Sequence, residues 1–382
     1  MTTPATTDQL FAGLSSFPDD HRGSPLPTWP MITTRIMELR KRRGLMIALV
    51  AVDIGLPAIY LAIRLISHAV APRSYGPAGG YEVFSNLVAG VMFIFGFIMA
   101  ATLGATAGAA DLNEGVFRHS VVTGRSRIAL YLARIPAGLA IIVPIMAAGV
   151  VMVCAVCVFA APTKLSYQGV TVPSGLSHTQ FVTWAEENYQ TVDCQFPYRG
   201  NATFIPPCGP FAGAGTGVII TKGGTTLKKG TPAQLKALAA TVANENYQTY
   251  SQTFLTPPLR LMWQSGLWLE LEAAVGFIVG LGLASLMGSR TVPTVLMVIL
   301  EIVLTPLLAV AHIPHMINLQ RAVVGVATAN VEPHGLPAVF GGQGPGANGM
   351  IHESTMWAVI VIIGWLVVWT ALGAWRMATR DV

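Results

Sequence analysis

The chain has 382 residues, of which 53% are hydrophobic and only 11% charged, and its mean hydropathy is +0.58. Soluble globular proteins carry roughly 25% charged residues, so these values exclude a water-soluble enzyme and a disordered chain. The net charge of +5 is too small an excess to indicate a nucleic-acid partner, and none is expected. The composition predicts an integral membrane protein.

The N-terminal region divides into two parts. Residues 1–30 are polar and proline-rich without an apolar core, which predicts a flexible cytoplasmic segment and no cleavable signal peptide. In residues 31–43 the apolar Ile36 and Leu39 oppose Arg35 on a helical wheel. This pattern predicts an amphipathic helix that lies in the headgroup layer before the first span.

Six segments are long and apolar enough to cross a bilayer, which takes about 20 residues for roughly 30 Å of hydrocarbon. They are Gly44–Ile63, Leu87–Ala110, Ile135–Ala161, Leu261–Gly288, Thr291–Ala311 and Thr355–Trp375. We therefore predict an all-α polytopic membrane protein, with transmembrane helices 1–3 in residues 44–161 and helices 4–6 in residues 259–382. Neighbouring helices accommodate the kinks that prolines introduce. The prolines within these segments are Pro57, Pro136, Pro144 and Pro306.

Lysine and arginine residues are concentrated in alternate connections between these segments. They stand before span 1, between spans 2 and 3, between spans 4 and 5, and after span 6. Since short cytoplasmic loops carry the excess of Lys and Arg, both termini are predicted to be cytoplasmic. Residues 162–258 and the loop 312–354 would then lie outside a bacterial plasma membrane.

Residues 162–258 shift in composition to Thr, Tyr, Asn, Gln, Gly and Pro, which predicts a mixed or α-rich extracellular domain inserted between helices 3 and 4. The peptides Thr183–Thr191 and Thr241–Thr249 agree at seven of nine positions. This indicates either two similar helix-bearing halves or chance in a biased composition. Cys194 and Cys208 also lie here, and an oxidising exterior favours a disulfide worth roughly 3 kcal/mol.

The chain lacks the sequence motifs of an enzyme. It contains no G-x-x-x-x-G-K-[ST] phosphate loop, no H-E-x-x-H, no G-x-S-x-G and no Cys/His zinc spacing. We therefore predict a non-enzymatic protein that binds no cofactor or metal of its own.

The turn 111–127, between spans 2 and 3, carries the most informative pattern. Leu112 with Val116, and Phe117 with Val121, are apolar pairs four residues apart, which predicts a short amphipathic helix. The segment is either an ordinary basic loop or a helix that docks into a partner protein and passes its movement to the spans.

This turn resembles the intracellular coupling segment of type-2 ABC transporter permeases, whose usual pattern is an acid, three residues, Gly-Thr-aliphatic and a Pro-x-Ser-Arg-like end. Asp111 takes the acid position, Gly115-Val116-Phe117 the middle and Gly124-Arg125-Ser126-Arg127 the end, with Val116 and Gly124 departing from the pattern. By this resemblance the residues that couple to the ATPase are Asp111, Glu114, Gly115, Val116, Phe117, Arg118, Arg125 and Arg127.

The resemblance extends to residues 31–43, which are similar to the family's connector helix, and to Met316–Ala329, which are similar to its outer re-entrant helices. It implies a permease subunit that pairs in the lipid membrane with a second permease chain, identical or homologous. Two copies of a separate ABC ATPase would bind ATP and Mg and drive export of a hydrophobic or amphiphilic drug, antibiotic or lipid.

Four acidic residues interrupt the apolar segments: Asp53, Glu270, Glu272 and Glu301. Ionisable groups are costly in hydrocarbon and by default face protein or a water-filled path, so these four are candidates for a substrate path that favours cationic cargo, or for contacts that stabilise the closed dimer. The alternative places Asp53 beside a basic group and the Glu270/Glu272 pair near the outer interface. Because Glu270 and Glu272 are two residues apart, only one is expected to face inward.

Two other functions remain open at this point. One is a membrane sensor or envelope-assembly protein whose extracellular domain binds a ligand or partner. The other is a proton- or ion-coupled carrier that uses the acids directly, which the lack of inverted-repeat similarity disfavours.

Overall fold

The structure of the protein is a computed structural model that describes most of the apolar segments and parts of the sequence between spans 3 and 4. The described ranges are 26–70, 78–113, 126–161, 164–167, 170–173, 175–188, 203–205, 218–221, 224–229, 256–310, 315–336, 351 and 353–379, with separate residues between 233 and 247.

Six helices within these ranges are long and apolar enough to cross a membrane, which confirms the predicted number. Spans 1 to 6 are Arg43–Val70, Tyr81–Ala110, Arg127–Phe159, Leu259–Met287, Thr291–Ala309 and Thr355–Thr379. Their outward faces expose large apolar side chains such as Ile63, Ile302 and Val367, the kind of surface that a bilayer covers. The chain is an α-helical membrane protein.

Several spans are built from more than one helical segment. Span 1 consists of Arg43–Val50, a π-helical segment Ala51–Gly55 and Leu56–Val70. Span 2 consists of Tyr81–Asn86, a π-helical segment Leu87–Met92 and Phe93–Asn113. Span 3 is divided into Arg127–Leu132 and Arg134–Phe159. Span 5 consists of Thr291–Val298, a π-helical segment Ile299–Leu304 and Thr305–Val310, whereas spans 4 and 6 are single helices.

Two of the π-helical segments end shortly before a proline. Ala51–Gly55 precedes Pro57, and Ile299–Leu304 precedes Pro306. Proline lacks the backbone N–H and its ring pushes against the carbonyl group four residues earlier, so regular α-helical hydrogen bonding fails there. At these two prolines, where kinks were predicted, the hydrogen-bonding pattern of the spans changes from α-helical to π-helical.

Spans 2 and 4 pack backbone against backbone and share the most extensive contact of the bundle. Their interface contains Gly104 and Gly108 of span 2 and Gly276 and Gly280 of span 4, so each helix carries two glycines four residues apart. A side chain at Gly104 would collide with the carbonyl oxygen of Phe277. Small residues at this spacing let transmembrane helices approach closely, which makes spans 2 and 4 the centre of the bundle.

The two ends of the bundle are held by different contacts. At one end, which we call the connector end, Arg134 Nη1 donates to the Gly108 carbonyl (3.0 Å), joining the start of span 3 to the end of span 2. At the opposite end, Gly80 N donates to the Cys157 carbonyl (2.8 Å), and Ile351 N donates to the Ala309 carbonyl (2.8 Å). The spans therefore alternate in direction.

A helix of 13 residues, Trp29–Lys41, precedes span 1 and has Arg40 and Lys41 in its last turn. It packs against span 3, and its Leu39 is buried. Residues 1–25 lie outside the described part, so the predicted flexible segment is largely untested.

Between spans 5 and 6 the chain turns back into the bundle through two short helices, Ile317–Arg321 and Val324–Asn330. All but the last residue of Val324–Asn330, hereafter the wedge helix, are buried. Trp365 Nε1 donates to the Ala322 carbonyl (2.8 Å), and Trp365 lies ten residues, or about 15 Å, into span 6. The segment between spans 5 and 6 is therefore re-entrant.

The segment between spans 3 and 4 contains strands as well as helix. Strands β1 (Lys164–Tyr167) and β2 (Val170–Pro173) form an antiparallel hairpin. Strands β3 (Thr203–Ile205), β4 (Val218–Thr221) and β5 (Gly224–Lys229) form an antiparallel sheet in the order β3-β4-β5. The helix His178–Glu187 begins with a capping box formed by Ser177 and Gln180.

The two related nonapeptides occupy equivalent places in this segment. The first peptide begins in the helix that follows the β1–β2 hairpin, and the second contains separate helical residues after the β4–β5 hairpin. Thr183 and Thr241 each donate a hydrogen bond to the carbonyl four residues earlier (3.0 Å). Tyr247 of the second copy donates to the Leu176 carbonyl beside the first (3.2 Å). Both interpretations of the repeat, two similar halves or a chance likeness, stay open.

Candidate site of buried carboxyl groups

Three of the four intramembrane acids are buried inside the bundle. Asp53 is 3% exposed, Glu272 is 1% exposed and Glu301 is 1% exposed, whereas Glu270 is only half-buried. The difference between Glu270 and Glu272 follows from the two-residue spacing, which turns their side chains to different sides of span 4. Glu272 lies near the middle of the 29-residue helix and not at its outer end.

Asp53 is placed where spans 1, 2 and 3 meet. It lies in the π-helical segment of span 1, and a side chain at Gly149 of span 3 would collide with its carbonyl oxygen. In a regular α-helix the carbonyl oxygen of Asp53 would accept a hydrogen bond from the N–H of residue 57, but Pro57 has no N–H. Gly149 packs against this carbonyl oxygen. Among the described residues, neither carboxylate oxygen of Asp53 has a hydrogen-bond partner, which gives no support to pairing with a basic group.

Glu272 and Glu301 come together although they belong to different spans. The two side chains are close enough to interact electrostatically. Thr328 of the wedge helix lies beside the Glu272 carboxyl group, and its own hydroxyl donates to the Gly325 carbonyl (3.2 Å). None of the four carboxyl oxygens accepts a hydrogen bond within the part of the chain that the structure describes.

Thr305 adds a further polar atom at this junction. It follows Glu301 by four residues on span 5, is fully buried and contacts Gly325 of the wedge helix. Its hydroxyl oxygen has no hydrogen-bond partner among the described residues. Spans 4 and 5 and the wedge helix thus enclose two carboxyl groups and two hydroxyl groups in surroundings that are otherwise apolar.

The elements around this junction bring no charge to balance the two carboxyl groups. Within the described chain, the wedge helix contains no charged residue, and the charged residues in the helices of spans 2 and 6, which are Glu82, Asp111 and Arg376, lie in the first or last turn of those helices. No group of three or more His, Cys, Asp or Glu side chains in the described residues is placed to hold a metal ion.

The connector end carries the described part of the predicted coupling segment. Arg127 Nη1 donates to the Ala378 carbonyl in the last turn of span 6 (3.3 Å). Asp111 lies in the last turn of the span 2 helix, Phe93–Asn113. The other residues of the predicted coupling set, which are Glu114, Gly115, Val116, Phe117, Arg118 and Arg125, lie outside the described residues, as do Cys194 and Cys208 of the predicted disulfide.

Glu353, just before span 6, is tied into the opposite end of the bundle. Asn330 holds this stretch, since its Nδ2 donates to the Ile351 carbonyl (3.1 Å) and its Oδ1 accepts from Glu353 N (3.2 Å). Burial raises the pKa of the Glu353 carboxyl group from 4.5 to about 7, and the nearby Arg321 guanidinium opposes that rise. The folded protein therefore favours protonated Glu353.

This shift predicts a pH dependence of stability. The folded state keeps the proton that the unfolded state releases above about pH 4.5, so the stabilisation is complete below that value and is lost as the pH rises through about 7. Glu353→Gln should flatten this part of the profile. The pH dependence is measured as the thermal unfolding midpoint in detergent between about pH 5 and 8. Glu82→Gln is the control, because Glu82 is exposed. Parallel profiles for wild type and Glu353→Gln would contradict the assignment.

Several structural residues were missed by the sequence reasoning. Arg134 is 2% exposed and bonds across to span 2, although its charge suggested a place in a loop. Thr305 and Thr328 carry no sequence signal that separates them from other threonines. The paired glycines of spans 2 and 4 are a readable signal, because their four-residue spacing within apolar segments is typical of close helix packing.

Comparisons with known proteins do not assign the chain to a family. No family model, no curated protein and no solved structure matches the chain.

Proposed function

We propose that the chain is the transmembrane permease subunit of an ATP-driven ABC exporter, which moves a hydrophobic or amphiphilic compound out of the cell. A separate ATPase, present in two copies, would bind ATP and Mg. A second permease chain would complete the path, and both termini would be cytoplasmic in the plasma membrane.

The observation that carries this proposal is the construction of the connector end. Arg127, at the end of the predicted coupling segment, bonds to the last turn of span 6, and Arg134 joins span 3 to span 2. The helix Trp29–Lys41 packs on span 3. A displacement of residues 111–127 would therefore reach spans 2, 3 and 6 together, as rigid-body switching requires.

The re-entrant segment and the buried acids are further support. Asp53, Glu272 and Glu301 are enclosed in the described conformation, so cargo would meet them only after the spans separate. Glu270 is half-buried and is the one member of the predicted substrate path with a more open position.

Val116→Asp with Phe117→Asp should uncouple the ATPase from transport. An added charge on the apolar face of the coupling helix would prevent docking into the partner, and we expect transport to fall by about tenfold or more. Transport and ATP hydrolysis are measured in membranes that contain equal amounts of each chain. His119→Asp is the control, since it adds a carboxylate to the same segment at a position outside the two apolar pairs, and equal losses in both variants would contradict the coupling assignment.

A pull-down in mild detergent tests the function as a whole. A stoichiometric ATPase with vanadate-sensitive turnover would support the exporter. A preparation free of ATPase that retains envelope partners through residues 162–258 would favour the sensor or assembly function instead, and proton-coupled uptake without ATP would favour the carrier.

A further inference from the structure

In the described part of the bundle, no basic side chain is placed to balance the charges of Glu272 and Glu301. Two carboxylates, each 1% exposed and close to one another, would place two negative charges in an apolar site. Desolvation and mutual repulsion both oppose that state, and a buried charge persists only with a partner. Arg321, a charged residue of the short helix before the wedge helix, interacts with Glu353.

The hydroxyl groups at the junction suit a protonated carboxyl group. The Thr328 hydroxyl lies 3.2 Å from the Gly325 carbonyl oxygen and can donate to it, which leaves the lone pairs of Thr328 Oγ1 able to accept a hydrogen bond from Glu272. A carboxylate cannot donate, whereas a protonated carboxyl can. Thr305, four residues after Glu301 on span 5, adds a buried hydroxyl group that has no partner among the described residues.

The wedge helix packs closely against spans 4 and 5 next to this junction. Thr305 and Gly325 are in contact, because a side-chain carbon added to Gly325 would meet the Thr305 methyl and hydroxyl at 2.5 Å. Trp268 Nε1 donates to the Thr328 carbonyl (2.9 Å) beside Glu272. A proton needs no additional volume, whereas an ammonium group or a hydrated cation does.

We propose that Glu272 and Glu301 form a proton-binding site that holds one proton in the packed state, with the protonated Glu272 carboxyl donating to Thr328 Oγ1. The proton comes from solvent and returns to it: one carboxylate plus one proton gives one carboxylic acid, and no other bond changes. Because spans 4 and 5 and the wedge helix enclose the site together, separating the wedge helix admits water and releases the proton. Opening of this end of the bundle is thus linked to pH.

Infrared difference spectroscopy of the purified chain in lipid nanodiscs tests this proposal. At about pH 8, where an exposed glutamate is ionised, the wild-type-minus-Glu272→Gln spectrum should contain the carbonyl band of a protonated carboxyl group. Glu270→Gln, two residues away on the same helix, should leave that band in place. A difference spectrum with carboxylate bands alone would overturn the proposal.

Thr328→Val provides a second measurement with little change in volume. It removes the acceptor, so the same band should move to higher frequency and titrate at lower pH, and Glu301→Gln should also lower the titration midpoint, because it removes the repulsion that opposes ionisation of Glu272. An unmoved band in Thr328→Val would overturn the proposed hydrogen bond. Stabilisation of the wild type by added sodium ions that is absent from Glu272→Gln would show a metal cation instead. None of these measurements needs an ATPase or a cargo, so their outcome is independent of the proposed function.

Discussion

Gly104→Val is expected to abolish the folded protein. The first side-chain carbon at this position would collide with the carbonyl oxygen of Phe277 and would lie 2.9 Å from Leu281 N, and both are backbone atoms that no side-chain rotation can move. Spans 2 and 4 would have to separate along the most extensive interface of the bundle. Overpacking of this kind costs about 3 kcal/mol or more where the backbone cannot relax.

The measurement is the monodisperse yield and the thermal unfolding midpoint in a mild detergent. Gly90→Val is the matched control, because it makes the same substitution in the same span at a position where the added carbon meets no atom within 4 Å. We expect Gly90→Val to resemble the wild type. If the two variants behaved alike, the close approach of spans 2 and 4 would be wrong.

Trp268→Ala is expected to be the second most damaging change. The Trp268 ring is 4% exposed and stacks on Phe93 of span 2 with a centroid distance of 4.8 Å and an interplanar angle of 13°. Its Nε1 donates to the Thr328 carbonyl of the wedge helix (2.9 Å). Removing the ring leaves a cavity and an unpaired buried carbonyl group, with a loss on the order of 3 kcal/mol in unfolding free energy.

Trp263→Ala is the control for this prediction, since Trp263 belongs to the same helix and is 72% exposed. It should change the unfolding midpoint little. Trp268→Phe separates the two contributions, because it keeps most of the ring volume and removes only the hydrogen bond to the wedge helix. Equal midpoints for Trp268→Ala and Trp263→Ala would refute the predicted role of Trp268.

The number and the approximate position of the spans could be predicted because each crossing needs about 20 apolar residues in a row. The ends could not: span 1 continues to Val70, beyond the expected Ile63, and span 2 begins at Tyr81, before the expected Leu87. These extensions contain isolated polar residues such as Arg64 and Ser85, and a search for uninterrupted apolar segments therefore excludes them. A helix can nevertheless continue through such residues when neighbouring helices pack against it.

The composition and the spacing of charges by themselves determined that this is a membrane protein of six helices with acids inside its apolar segments. Only the tertiary structure decided which of these acids share a site, because Glu272 and Glu301 lie on different helices, and Thr328 reaches Glu272 only when the re-entrant segment folds into the bundle. Contacts of this kind depend on how helices pack. In a membrane that packing is set by small residues and shape, and hydrophobicity along the chain contributes little to it.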